Sequence, residues 1–381
     1  MVTVRRILYV QYTDPAHYPP LEHSSRLFAE RGWEVLMLGT GTENELNLQL
    51  PSHPRIRIKK VGFVQRGWRQ KIQYIFFILL TLYWTWWWRP SWVYASDPMA
   101  CPVVWLVQKL INVRVAYHEH DSPVEGCAAQ SWFMKSVLAF HKKIGREAAI
   151  CILPQQDRML RFLALTARTT PTFCVWNCPR KTEVIPALVV SDTPIIVYYH
   201  GNVSQILLPI ATLTAISRFR GKVRLRVAGY ETIGNEGYLA ELCRLTEDAP
   251  SLIESLGTLR RADLFRAASA AHVGLCVMPK STDNINLSHM VGASNKAFDY
   301  MACGLPLLVT DLPEWVGAFV EPGYARACNP DDPDSIEAAL RWYLDHPEER
   351  REMGRRCRKK IEQTWNYETV FAEVLEKIEN D

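Results

Sequence analysis

Residues 288–311, SHMVGASNKAFDYMACGLPLLVTD, hold the side chains whose types and spacing point most directly to chemistry. Gly292 and Ala293 are small, and Ser294 is a good N-cap for a helix running from about Asn295 to Cys303. Gly304 stops that helix, Pro306 cannot continue it, and LPLLVTD reads as the buried strand that follows. A small-residue loop opening onto a helix start offers free N–H groups and the positive end of the helix dipole, which suits an anion. Lys296 adds an ammonium in the first turn, and Asp299 brings a carboxylate to the same face three residues on. Phe298, Met301 and Ala302 then face the core. A diphosphate uses the backbone donors and the ammonium, and a ribose diol can donate to the carboxylate. The same residues also read as an ordinary capped helix with a surface ion pair.

A second concentration lies in VRVAYHEHDSP, residues 113–123. It places Tyr117, His118, Glu119, His120 and Asp121 at the carboxyl end of a strand, which is the ligand edge of an open α/β sheet. Side-chain alternation puts His118 and His120 on one face and Glu119 on the other, so a metal would need a third ligand from elsewhere. Contact with a substrate, a metal site and a structural role all remain open on these residues alone. His17 and Tyr18, in the long polar loop after the first strand, share that edge.

Residues 72–88, IQYIFFILLTLYWTWWW, form a 17-residue run without charge. Arg66, Arg69 and Lys71 precede it, and Trp84, Trp86, Trp87, Trp88 and Trp92 crowd its far end. A spanning helix needs about 20 apolar residues, and spanning would tear apart the sheet on either side. Indole rings favour the membrane–water interface, and basic flanks attract anionic headgroups. The segment 66–92 is therefore expected to lie in a membrane surface, with a buried helix of the sheet as the rival reading.

These elements sit in a chain of 381 residues, 48% hydrophobic and 22% charged, which is ordinary for a soluble globular protein of two domains. MVTVRRILYV reads as a buried strand, not a signal peptide. Ten cysteines without paired spacing fit reduced thiols in the cytosol. Residues 1–185 carry 23 Lys and Arg against 13 Asp and Glu, a net +10, and residues 186–381 carry 21 against 27, a net −6. With no nucleic-acid motif in view, the basic half suits anionic lipid or a phosphorylated substrate. Strand patterns alternate with helical ones in both halves, so the fold class is α/β with two doubly wound Rossmann-like domains. The expected boundaries are a first domain at 1–176, a linker at 177–194, a second domain at 195–365 and a C-terminal helix at 366–381.

The pattern Asn-Lys-x-Phe-acid-Tyr-Met-Ala-x-Gly-x-Pro over 295–306, with the Val-Thr-Asp ending after it, resembles the donor-site segment of the GT-B retaining glycosyltransferases of the group 1, or family 4, kind. The flanking stretches GTLRRADLFRAASAAHVGLCVMP and DLPEWVGAFVEPGYARACNPDDPDSIEAAL extend the likeness to about 190 residues. The resemblance implies an acceptor domain at 1–176 and a nucleotide-sugar domain at 195–365 facing across a cleft, and it implies roles for individual residues. Asp299 takes the ribose position, and Lys296 with Ser294 and Asn295 takes the diphosphate side. Gly201 and Asn202 take the place of a loop passing the donor phosphates, and His120 matches a histidine reaching the donor sugar or the attacking group. The chain departs from the family in having Val291 where many members carry a glutamate, and QILLP where an Arg and a Lys commonly follow the Gly201 loop. Lys280 is the candidate replacement cation, and His118, which stands where the family has an aspartate, is expected with His17 and Tyr18 to contact the acceptor.

The resulting expectation is a hexosyltransferase-like enzyme that retains anomeric configuration. It would move a sugar from a UDP or GDP donor to a lipid-linked or envelope polysaccharide acceptor, with no metal or other cofactor. It would be cytoplasmic and peripheral on the inner face of the cell membrane. A GT-B-type nucleotide-sugar epimerase and a non-catalytic nucleotide-sugar-binding subunit are the alternatives.

Overall fold

The computed structural model describes residues 4–41, 50–65, 67–123, 131–188, 191–232, 234–246 and 252–381. The chain divides into two compact units, one of Met1–Asn177 with Tyr367–Asp381, the other of Cys178–Asn366.

The first unit is built on seven parallel strands: β1 (Arg6–Gln11), β2 (Glu34–Thr40), β3 (Ile56–Val61), β4 (Trp92–Ser96), β5 (Arg114–His118), β6 (Ile150–Leu153) and β7 (Thr172–Cys174). Their order is β3-β2-β1-β4-β5-β6-β7, so the winding reverses between β1 and β4. Helices α1 (Pro19–Glu30), α2 (Trp68–Trp88), α3 (Cys101–Ile111), α4 (Trp132–Glu147) and α5 (Gln156–Thr166) connect strands of the sheet. Successive strand residues point to opposite faces. Leu8, Val10, Val93 and Val115 therefore join one core cluster, while Ile7, Tyr9, Tyr94 and Ala116 join another. The second cluster also takes in Tyr367, Phe371, Val374, Leu375 and Ile378, which explains why the last residues of the chain belong to the first unit.

Helix α2 shows which way its apolar run faces. Tyr74, Phe77, Thr81, Thr85 and Trp88 are buried, at the i, i+3, i+4 spacing of one helical stripe. The buried threonines donate to the carbonyls four residues back, Thr81 to Phe77 and Thr85 to Thr81, both at 2.8 Å. The opposite stripe exposes Trp68, Ile72, Ile75, Phe76, Leu79, Tyr83, Trp86 and Trp87. Two of the expected membrane residues thus turn inward. Trp88 is buried beneath the Arg6 guanidinium, and Trp84 packs against the core with Lys59 Nζ 4.7 Å from its ring. The helix period of about 100° per residue separates them from Trp86 and Trp87. Trp92 is also buried, as the first residue of β4. Arg69 and Lys71 are exposed on the first turn, whereas Arg66 lies outside the described residues. Among the described residues, no helix is long and apolar enough to cross a membrane.

The second unit carries β8 (Ile195–Val203), β9 (Val223–Glu231), β10 (Ile253–Ser255), β11 (Val273–Cys276), β12 (Leu307–Thr310) and β13 (Ala325–Cys328), all parallel, in the order β10-β9-β8-β11-β12-β13. Its winding reverses between β8 and β11. Helices α6 (Ile210–Ser217), α7 (Tyr238–Arg244), α8 (Arg261–Ser269), α9 (Ile285–Ser288) and α10 (Asn295–Ala302) are followed by the longer helices Pro333–Asp345 and Pro347–Gln363. The Pro-rich stretch that follows Asn177 is part of this unit: Leu188 N donates to Ser269 O at 2.9 Å, and Glu183 pairs with Arg261.

Candidate functional site

In the second unit, Ser294 adopts extended N-cap geometry (φ −82°, ψ 120°) and α10 runs from the next residue. Its hydroxyl makes no capping bond to the helix. Asn295 Oδ1 is buried without a partner. Phe298, Met301 and Ala302 are buried as the helical pattern requires, together with Ala297 and Tyr300.

Lys296 is half-buried in the first turn. Its Nζ lies 5.1 Å from the centre of the Tyr199 ring and forms no ion pair among the described residues. Burial lowers its pKa, because removing water disfavours the ammonium. Gly201 sits beside it with φ +104°, a conformation that favours glycine, and a Cβ there would lie 3.2 Å from Lys296 Cε. In the register, Gly201 faces Gly229 of β9, where a side chain would strike the Gly201 carbonyl. Gly201 and Asn202 are thus not a free loop: strand pairing continues through Val203↔Glu231 and holds them within β8. Asn202 Oδ1 accepts from Thr232 Oγ1 at 3.2 Å.

Asp299 points elsewhere. It is buried, and Arg261 Nη2 donates to its Oδ1 at 2.9 Å while Nη1 donates to Oδ2 at 3.2 Å. His200 Nε2 lies 3.4 Å from Oδ2, and Glu183 grips the other side of the same guanidinium. Burial lowers the pKa of His200, so its ring is neutral near pH 7. The carboxylate expected to meet ribose is therefore already held by a charged network that residue spacing did not reveal. Lys280 is engaged too, with Nζ 2.9 Å from Asp311 Oδ2, so the ammonium considered as a replacement cation is matched by a carboxylate. Val291 is buried.

In the first unit, β1, β4 and β5 end side by side, with Gln11 opposite Ser96 and Ser96 opposite His118. His118 Nδ1 is 2.7 Å from the Tyr94 hydroxyl, and the His118 and His120 rings are 4.1 Å apart. Glu119 turns the other way, as alternation requires, and its carboxylate contacts His141 Nε2 at 2.5 Å and Ser122 Oγ at 2.7 Å. It holds the strand end in place and does not converge with the two histidines. Tyr18 lies 5.0 Å from the His120 ring, whereas His17 ends a short turn and is exposed. Burial keeps both imidazoles neutral, His118 well below its usual range and His120 down to about 4.

Two residues at this edge went unnoticed in the sequence. Asp97 follows β4 with φ 66° and ψ 159°, a region that side chains other than glycine rarely enter. Gln11 Nε2 donates to its Oδ2 at 2.7 Å, and Oδ1 is shut from solvent without a partner. Burial pushes its pKa up to about 6. The usable signal was polar residues closing apolar strands, YVQ and YASD, at the ligand edge.

Residues 209–376 match the family model described as glycosyl transferase-like. No curated protein matches the sequence. Among solved structures, sucrose-phosphate synthase from Thermosynechococcus elongatus is similar with a TM-score of 0.74 at 15% identity, over 99% of both chains. Anabaena HepE in complex with UDP and glucose gives 0.72 at 12% identity, over 99% of this chain and 100% of that one. A UDP-N-acetylglucosamine 2-epimerase gives 0.64 at 13% identity, over 99% and 97%. Residues 209–376 therefore resemble the glycosyl transferase-like family, and the chain has the GT-B fold of these structures.

Proposed function

We propose that this enzyme transfers a sugar from a nucleotide-diphosphate donor, with retention, to a lipid-linked or envelope polysaccharide acceptor at a membrane surface. The second unit binds the donor and the first unit receives the acceptor. The observation that carries the reading is Lys296, a desolvated ammonium without an ion-pair partner among the described residues, set beside Gly201 at the start of α10. A half-buried cation left unpaired gains from an anion that completes it. A sugar-linked diphosphate supplies that anion, and HepE, solved with UDP and glucose, supports this donor class.

In the reaction the acceptor oxygen forms a bond to the anomeric carbon while the bond from that carbon to the diphosphate oxygen breaks. The acceptor proton passes to the departing diphosphate on the same face. Lys296 and the N–H groups of α10 stabilise the charge that develops there. His120, neutral and without a hydrogen-bond partner on either ring nitrogen, contacts the donor sugar or the attacking hydroxyl.

The membrane part of the reading rests on the exposed apolar stripe of α2 with Arg69 and Lys71 at its start. It places the enzyme on the cytoplasmic face, where anionic lipid meets basic side chains. The epimerase resemblance keeps one rival open, and such an enzyme has no use for that stripe.

A thermal-shift screen of UDP, GDP and their sugars identifies the donor, and incubation with donor alone then tests the chemistry. Slow release of free sugar supports a transferase. Isomerised donor means an epimerase, and unchanged donor means a binding subunit. His120→Ala should leave nucleotide binding intact and lower turnover by roughly 10²-fold or more; unchanged turnover removes its catalytic role.

A further inference from the structure

At the edge of the first sheet away from the histidines, where β4 and β5 begin, the surface opens into a cavity of about 460 Å³. Sites for small ligands span about 300–1,000 Å³. Ser91 stands just before β4, Asn112 follows α3 and Arg114 opens β5, while Trp86 and Arg89 come from the end of α2. Among the described residues, no acidic side chain lines the cavity, and neither the Arg89 nor the Arg114 guanidinium has an ion pair or hydrogen bond. Other exposed arginines of this unit do have carboxylates at hand, Arg31 with Glu379 at 2.7 Å and Arg57 with Glu34 at 3.4 Å. Arg114 is steadied by Trp92, with Cζ 5.8 Å from the ring centre. Asn112 and Arg89 end their helices in the left-handed conformation, at φ 52° and φ 51°. Asparagine enters that region readily and arginine does not, so Arg89 brings a charge that the turn itself does not require. A guanidinium presents paired N–H groups that match two phosphate oxygens. The Asn112 amide can donate beside them. Ser91 Oγ donates to Arg6 O at 3.0 Å, which leaves its lone pairs to accept from a hydroxyl.

We propose that this cavity binds the phosphodiester headgroup of an anionic phospholipid, with Arg89 and Arg114 holding the phosphate oxygens and Trp86 receiving the apolar part of the lipid. Trp86 decides between a lipid and a free phosphate. It is 64% exposed and belongs to the outward apolar stripe of α2, so acyl chains leaving the cavity meet an apolar surface. With no carboxylate to receive a choline ammonium, the lining favours a headgroup of net negative charge. The site lies at the opposite end of the strands from His118 and His120 and takes no part in sugar transfer. It rests on the membrane part of the proposed function and goes beyond it. A stripe with basic flanks attracts anionic lipid diffusely, whereas a built cavity binds one lipid molecule saturably.

The test titrates the full chain, by calorimetry and phosphorus NMR, with dihexanoyl phosphatidylglycerol below its micelle threshold. Dihexanoyl phosphatidylcholine and inorganic phosphate are the comparison probes. Phosphatidylglycerol should occupy one saturable site, roughly tenfold or more tighter than either comparison probe. Arg89→Gly with Arg114→Gln should weaken it by roughly tenfold or more at an unchanged melting temperature, since glycine suits the backbone of Arg89 and both side chains are exposed. Arg69→Gln with Lys71→Gln removes the same charge from the start of α2, roughly 27–30 Å away along the helix. That distance exceeds a Debye length of roughly 8–10 Å, so the change should be under about threefold. Inorganic phosphate bound as tightly as the lipid means a soluble phosphate ligand, and phosphatidylcholine bound as tightly means that net charge is not read. Equal losses from the two pairs of substitutions mean diffuse attraction. Each of these results overturns the proposal, as does the lack of a saturable site. Cosedimentation of the same samples with phosphatidylglycerol vesicles keeps the two readings apart. Vesicle binding without a saturable site for the single lipid sinks the cavity alone, whereas no vesicle binding sinks the membrane reading.

Discussion

Lys296 rests against the face of Gly201 where any other residue would carry its side chain. The Lys296 ammonium is desolvated and has no ion pair among the described residues, so in the proposed reaction it serves the leaving diphosphate and not the fold. Lys296→Met should leave the melting temperature unchanged or slightly higher and cut turnover by roughly 10²- to 10³-fold. A parallel loss of stability and turnover would mean that the cation is structural. Gly201→Ala should cost about 1–2 kcal/mol from its positive φ and displace Lys296, weakening nucleotide affinity in calorimetry.

Arg261 behaves in the opposite way. Its guanidinium joins Asp299 and Glu183, and the Asp299 side chain is only 3% exposed. Arg261→Met leaves that carboxylate buried with its main partner gone, which should cost about 3–5 kcal/mol in urea unfolding. The double variant Arg261→Met, Asp299→Leu should recover much of the loss. No recovery would show that the pair is not coupled.

Asp97 gives the first unit a pH signature. Its folded pKa of about 6 stands above the usual carboxylate value of 3.8 because of burial. The folded state therefore prefers the protonated acid. The penalty is absent below the unfolded pKa, grows as pH rises through the window from about 4 to 6, and is complete above it. A rise of that size corresponds to as much as about 3 kcal/mol. Gln11, Tyr18, His118, Glu119, His120 and Asp121 surround the group, and both histidines stay neutral across the upper part of this window. Asp97→Asn should thus stabilise the protein at pH 8 and change it little at pH 4.5, read from melting curves at the two pH values. Equal effects at both would place the ionisation elsewhere.

The outward stripe of α2 predicts a separation of binding from stability. Leu79 and Trp86 are 59% and 64% exposed, so Leu79→Glu with Trp86→Glu should leave the melting temperature within about a degree while abolishing cosedimentation with phosphatidylglycerol vesicles. Arg69→Glu with Lys71→Glu should weaken the same binding by about 1 kcal/mol per charge lost, and added salt should mimic it. Vesicle binding untouched by both pairs would rule out this face.

What local pattern controls was legible in the residues. The start of α10 after Ser294, its stop before Gly304, the apolar strands and the two doubly wound halves all follow from periodicity, capping and turn chemistry, which act over a few neighbours. Even the divergence of Glu119 from the two histidines follows from strand alternation. The identity of distant partners was not legible. Arg261 reaches Asp299 across 38 positions, and Gln11 reaches Asp97 across 86. Such pairings depend on which strands lie adjacent and where each sheet reverses its winding. That order is settled when the apolar faces of whole helices and strands are buried together, so no run of neighbouring residues contains it. The sequence alone therefore determined the elements and the kind of chemistry they can carry, while the tertiary structure decided which charges are consumed by the fold and which are left for a ligand.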